Sequence, residues 1–113
     1  MQKISKYKTA STYARAWFYA AKENKQEDLV FKEIQLLRES MRQEAGLWHM
    51  LSQPTDGNED KIEIISDLAR KAQFSEISFE TLKMIAENNR LGLLRFICSA
   101  FIKNYYKDKD DNC

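Results

Sequence analysis

Glycine and proline are almost missing from this sequence, with three of one and one of the other in 113 residues. Few turns of special geometry are therefore expected. Long regular elements fit such a composition, helices best of all. Histidine is scarcer still, since His49 is the only one. A lone histidine cannot build a metal site without cysteine or carboxylate partners at ligand spacing. Beside Trp48, in a short turn between helical runs, it reads as a packing or surface residue. The two cysteines, Cys98 and Cys113, make no disulfide framework. Cys98 lies in an apolar run and reads as a small core residue. Cys113 reads as an exposed free thiol, and a reducing compartment fits.

An excess of one charge sign is also lacking. There are 18 basic and 17 acidic residues, a formal net charge of +1. A nucleic-acid-binding domain normally shows a basic excess or a basic stripe. Here Lys22, Lys25, Lys32, Arg38 and Arg42 alternate with Glu23, Glu27, Asp28, Glu33, Glu39 and Glu44, a pattern that reads as a solvated helix face. The opening MQKISKYKTASTYARA has no apolar signal core. No apolar run approaches the ~20 residues of a membrane span, so no direct membrane insertion is expected. GxxxxGK[ST], GxGxxG and HExxH are all missing, as is a nucleophile elbow. The carboxylates lie beside basic residues on polar faces, with no sign of a cleft to shift their pKa. No catalytic, cofactor-binding or metal-binding residue is nominated, and the chain is not expected to be an enzyme.

What the chain has is apolar side chains at helical spacing, in a composition 43% hydrophobic and 12% aromatic. One compact domain accommodates this length. From Ser5 to Asn24, Tyr7, Ala10, Ala14, Trp17, Phe18 and Ala21 recur in steps of three and four. From Lys25 to Ala45, Leu29, Ile34, Leu37 and Met41 line one side, with Val30 and Phe31 beside them. Gly46 breaks that run, and a short turn covers Leu47–Leu51. SQPTDGN, residues 52–58, holds the one proline and is the clearest loop. Glu59 to Ala72 follows, with Ile62, Ile65, Leu68 and Ala69 on one face. Ser75 or Ser78 can cap the next helix, which runs to about Asn88. Asn88 or Asn89 can end it, since asparagine tolerates the left-handed backbone. The last helix runs from about Leu91 to Tyr106, and residues 107–113 form a charged tail expected to fray. The expected class is all-α, a compact bundle of five long helices and one short one.

Two helices carry more apolar surface than one buried face requires. On a wheel of ~100° per residue, Ala10, Ala14, Trp17, Phe18 and Ala21 make one arc of the first helix. Tyr13, Ala16 and Ala20 add a second strip. In the penultimate helix, Phe79, Leu82, Ile85 and Ala86 form the core face. Ile77, Thr81, Met84 and Asn88 form another about half a turn away. Either both helices are buried on two sides, or the two strips flank an open groove for a partner helix.

Tyr13-Ala14-Arg15-Ala16-Trp17-Phe18, with Ala20 and Ala21, resembles the segment YA[RK]ALFE-A. Ala86-Glu87-Asn88-Asn89-Arg90-Leu91-Gly92-Leu93-Leu94 resembles AENGRL--L. Both segments, in this order and separation, resemble the delta subunit of bacterial F-type ATP synthase, whose mitochondrial counterpart is the oligomycin-sensitivity-conferring protein. The resemblance covers about residues 5–106. It implies a six-helix N-terminal domain over 1–106. It also implies a non-catalytic stator role in the peripheral stalk, linking the catalytic head to the stalk against rotor torque. The implied partner is the amphipathic N-terminal helix of an alpha subunit, held in a groove between the first and fifth helices. By position, Tyr13, Ala16, Glu80, Met84 and Asn88 match the family's groove; Ala20, Ile77 and Thr81 are added from the wheel alone. The family's second domain, which binds the b subunits, is expected to be absent from this chain. The implied location is peripheral, on the cytoplasmic face of the bacterial inner membrane. The alternative is a small helical nucleic-acid-binding domain or another protein-interaction domain.

Overall fold

The computed structural model describes residues 6–53 and 59–111. Among these residues six α-helices follow one another: α1 (Lys6–Glu23), α2 (Glu27–Gln43), α3 (Ala45–Ser52), α4 (Glu59–Lys71), α5 (Glu76–Glu87) and α6 (Leu94–Asp111). A 3₁₀ turn at Leu91–Leu93 leads into α6. No strand occurs among the described residues. The all-α bundle with one short helix is as the periodicity predicts; the short one is α3, at eight residues. Most of the loop expected at residues 52–58 lies outside the described residues.

The centre of the bundle is the contact between α1 and α6. Ala10, Ala14 and Ala21 are fully buried on α1, and their small side chains let α6 approach closely. Trp17 and Phe18 fill the space around Phe101. The Trp17 and Phe101 rings lie 6.0 Å apart at 67°, and those of Phe18 and Phe101 5.5 Å apart at 75°. These are the edge-to-face arrangements that aromatic quadrupoles favour. Val30, Ile34, Leu37 and Met41 from α2, Ile65 and Ala69 from α4, and Leu82, Ile85 and Ala86 from α5 close the core.

Several local expectations are corrected. Gly46 breaks nothing; it lies in the first turn of α3. Glu44 makes the break instead, leaving helical geometry at φ −112°, ψ 85°. Leu29 is exposed, because the α2 stripe runs through Val30, Ile34 and Leu37, one position round the wheel. Glu33 lies on that same stripe and is buried rather than solvated. On α5, Ser78 is fully buried, whereas Phe79 is only half-buried.

Helix α6 continues through Lys107–Asp111, where a frayed tail was expected. Two ion pairs hold its end, Lys22 Nζ–Asp108 Oδ1 at 2.5 Å and Lys109 Nζ–Asp28 Oδ1 at 3.2 Å. The Tyr105 ring stacks on Phe31 at 3.9 Å, and its hydroxyl donates to Asp28 Oδ1 at 2.5 Å. That hydrogen bond pushes the Tyr105 phenol up to about 12 and holds the Asp28 carboxyl below the usual carboxylate range.

Special turns are needed after all, and residues other than glycine make them. Lys25, Gln73 and Asn89 take φ of 57°, 57° and 59°. Each sits two residues past a helix end. In α5, Arg90 N–H donates to Ile85 O and Asn89 N–H to Ala86 O, both at 2.9 Å. This is the Schellman pattern, which satisfies carbonyls left open at a helix C-terminus. The same pair of bonds closes α1 at Lys25–Gln26 and α4 at Gln73–Phe74. The polar cluster Asn88-Asn89-Arg90 is therefore a helix terminator.

Candidate partner-binding groove

The structure places α1 and α5 side by side and antiparallel. Asn88 Nδ2, at the end of α5, donates to Tyr13 Oη at 3.0 Å. One turn further along α1, Trp17 Nε1 donates to Ser78 Oγ, near the start of α5, at 3.3 Å. The Tyr13–Asn88 bond is near the surface and the Trp17–Ser78 bond is buried. The two helices thus make contact both at depth and at the rim.

Of the eight residues nominated for the groove, Tyr13, Ala20, Ile77 and Thr81 are half-buried. Ala16, Glu80, Met84 and Asn88 are exposed, Met84 at 40%. Only Tyr13 and Asn88 are joined directly by a hydrogen bond; the others share the two facing helices. The second strips are accordingly half open: Ala16, Met84 and Asn88 face solvent, while Tyr13 and Ile77 pack against the core. The strip offers small residues, one adaptable methionine and a rim of hydrogen-bonding groups. Small residues and methionine of this kind allow close approach and adapt to a partner's side chains. A concavity of about 830 Å³ lies elsewhere, between α3 and α4, lined by His49, Met50, Lys61 and Ile64. It ends at Gln53 and Glu59, the edges of the described segments.

Beneath the strip lies a polar network that the periodicity did not point to. Ser75 is the N-cap of α5, and its Oγ accepts from Ser78 N–H at 3.2 Å. In a capping box, the residue three positions on would reach back to the cap's own N–H. Here that residue is Ser78, whose side chain is too short. Glu33 of α2 supplies the acceptor instead. Its Oε2 accepts from Ser75 N–H, and its Oε1 accepts from Ser75 Oγ at 2.8 Å and Ser78 Oγ at 2.6 Å. A carboxylate at a helix N-terminus also opposes the helix dipole favourably. The signal was present in sequence as a glutamate inside the Val30–Leu37 stripe and a serine where a capping box has Glu or Gln.

No group of His, Cys, Asp and Glu that could hold a metal occurs among the described residues. His49 is exposed, with Nδ1 3.5 Å from Gln53 Nε2. Cys98 is wholly buried, and burial pushes its thiol up to about 12, which makes it an unreactive core residue. No described helix is long and apolar enough to cross a membrane.

Residues 9–111 match the family described as ATP synthase delta (OSCP) subunit. The chain belongs to that family. It is similar to ATP synthase subunit delta of Phenylobacterium zucineum, at 32% identity over 91 residues, 80% of this chain and 50% of that protein. The delta subunit of Rickettsia bellii is 28% identical over 98 residues, 87% of this chain and 52% of its own. ATP synthase subunit 5, mitochondrial, of Saccharomyces cerevisiae is 30% identical over 91 residues, 80% and 43% of the two chains. The chain spans about half the length of the curated relatives it matches. The delta (OSCP) family is one of non-catalytic subunits in the peripheral stalk of ATP synthase.

Proposed function

We propose that this chain is the head-binding part of the peripheral stalk. It holds the amphipathic N-terminal helix of an ATP synthase alpha subunit between α1 and α5. Contacts with b subunits are carried mainly by the family's second domain, and this domain works peripherally on the cytoplasmic face of the membrane. Its contribution is binding free energy and stiffness: the head is held still while the rotor turns, so that proton flow drives ATP synthesis. No bond is made or broken by the domain, and no cofactor takes part.

The observation that supports this reading is the half-open pair of strips on α1 and α5, spanned at one end by the Tyr13–Asn88 hydrogen bond. Tyr13, Ala16, Ala20, Ile77, Glu80, Thr81, Met84 and Asn88 are the contact residues. A docked helix burying about 600 Å² of apolar surface gains about 15 kcal/mol gross. Ordering the peptide and losing its free motion cost about 6–9 kcal/mol of this. The remaining ~6–9 kcal/mol corresponds to binding in the micromolar range.

The test is titration of the domain with a peptide of the cognate alpha subunit's N-terminal ~20 residues, a length of helix of ~30 Å. Tryptophan fluorescence and calorimetry follow binding. Saturable one-to-one binding is the expected result, and no binding at high micromolar peptide refutes the proposal. The nucleic-acid alternative predicts salt-sensitive binding to mixed DNA or RNA. The balanced charge speaks against it.

A further inference from the structure

The Glu33 network joins three helices, and two of them are the walls of the groove. Glu33 is 7% exposed, Ser78 0% and Trp17 1%, so all three sit in the dry interior. The carboxylate grips the first turn of α5 through Ser75 N–H, Ser75 Oγ and Ser78 Oγ. Ser78 Oγ spends its proton on Glu33, which leaves its lone pairs for Trp17 Nε1–H of α1. The negative charge polarises that hydroxyl and strengthens it as an acceptor. No buried side-chain nitrogen or oxygen among the described residues is left without a partner, so the relay has no slack member.

Geometry restricts what else could hold these walls together. At the Asn88 end the link is one bond near the surface, open to competition by water. At the Ile77 and Thr81 end the buried relay from Glu33 through Ser78 to Trp17 is the directional contact. Apolar packing alone would let α5 slide or rotate against α1, because dispersion has little directionality.

We propose that Glu33 is a positioning residue for the groove. Acting through Ser78 and Trp17, it sets the separation of α1 and α5 on which the partner helix seats, though it touches no partner itself. The inference rests on the groove reading above for its consequence in binding. Its structural part can be measured without a partner.

The variants are Glu33→Gln and Ser78→Ala. Glutamine keeps the shape of the side chain but turns an amide donor toward donors on α5. Ser78→Ala removes the relay and leaves Ser75 capped. Met41→Ala is the control, a core truncation in α2 outside the network. Spin labels on Ala16→Cys and Glu80→Cys, in a Cys113→Ser background, report wall separation. The Trp17 Nε1–H resonance reports the hydrogen bond, and the alpha-subunit peptide reports function.

Glu33→Gln and Ser78→Ala are expected to shift and broaden the label distance and to move the Trp17 resonance. They should also weaken the peptide at least about tenfold. Met41→Ala should lower the melting temperature and leave all three readouts as in wild type. Should Glu33→Gln fail to fold, Ser78→Ala carries the same expectations. Unchanged label distance in the folded network variants, with peptide affinity retained, overturns the positioning role alone. A wild-type domain that ignores the peptide overturns the groove itself, and the role of Glu33 in binding with it.

Discussion

Replacing Met84 by glutamate is the sharpest perturbation of the groove. Met84 is 40% exposed in the free domain, so its side chain offers on the order of 80 Å² for a partner to cover. At ~25 cal/mol/Å² that is about 2 kcal/mol of lost binding. A carboxylate in its place must also be desolvated against the apolar face of the docked helix, at a further cost of about 1–3 kcal/mol. The sum, about 3–5 kcal/mol, is a loss of roughly a hundred-fold to a few thousand-fold in affinity. The fold should scarcely notice, since an exposed helix position tolerates glutamate within about 0.5 kcal/mol. The assay is the peptide titration on Met84→Glu beside wild type, with thermal unfolding of both. Wild-type affinity in a folded Met84→Glu domain would refute the assignment of the partner helix to α1 and α5. A lost fold would instead show that Met84 supports the bundle.

Other consequences concern stability as well as binding. Leu82→Ala empties a fully buried site on α5 and should cost about 2–5 kcal/mol in denaturant unfolding. Ala16→Trp should block the groove and leave the melting temperature near wild type; normal peptide binding would count against the site. Gln73→Gly and Lys25→Gly relieve left-handed strain at two exposed helix ends. Each should raise stability by about 0.5–1 kcal/mol, and a loss would show that those side chains do more than turn the chain. The Cys98 thiol is raised from 9.0 to about 12 in the fold. A raised pKa gives stability that is full below the unfolded value and is lost as pH climbs toward the folded one. Stability should therefore fall by up to about 1.4 kcal/mol per pH unit above pH 9. The Cys98 share of that slope should be missing between pH 9 and 10 in Cys98→Ala, leaving the decline that the raised Tyr105 phenol adds toward pH 10.

Much of the bundle was legible because helices write their buried faces as a 3.6-residue period. Ala10, Ala14, Trp17, Phe18 and Ala21 were read as one arc, and all five are buried. Errors gathered where a residue type has two uses. Gly46 looked like a breaker, yet an exposed helix turn tolerates glycine at a cost of about 1 kcal/mol. Lys25 and Gln73 carry no turn signature, yet each takes the left-handed backbone of a Schellman end. Glu33 looked like one charge among many, and only the approach of α5 gives it three donors.

The sequence by itself determined the helical class, the approximate helix limits, the family and two apolar strips beyond what a core requires. Those properties are local, since each follows from side chains a few residues apart on one helix. Which helices face each other is a matter of distant contacts. Only the tertiary structure decided that Tyr13 meets Asn88 and that the end of α6 is clamped to α1 and α2. It alone showed a buried glutamate of α2 capping α5. The physical reason is that hydrogen bonds and ion pairs between residues 42 to 86 positions apart leave no periodic trace. They become favourable only once the core has brought their helices together.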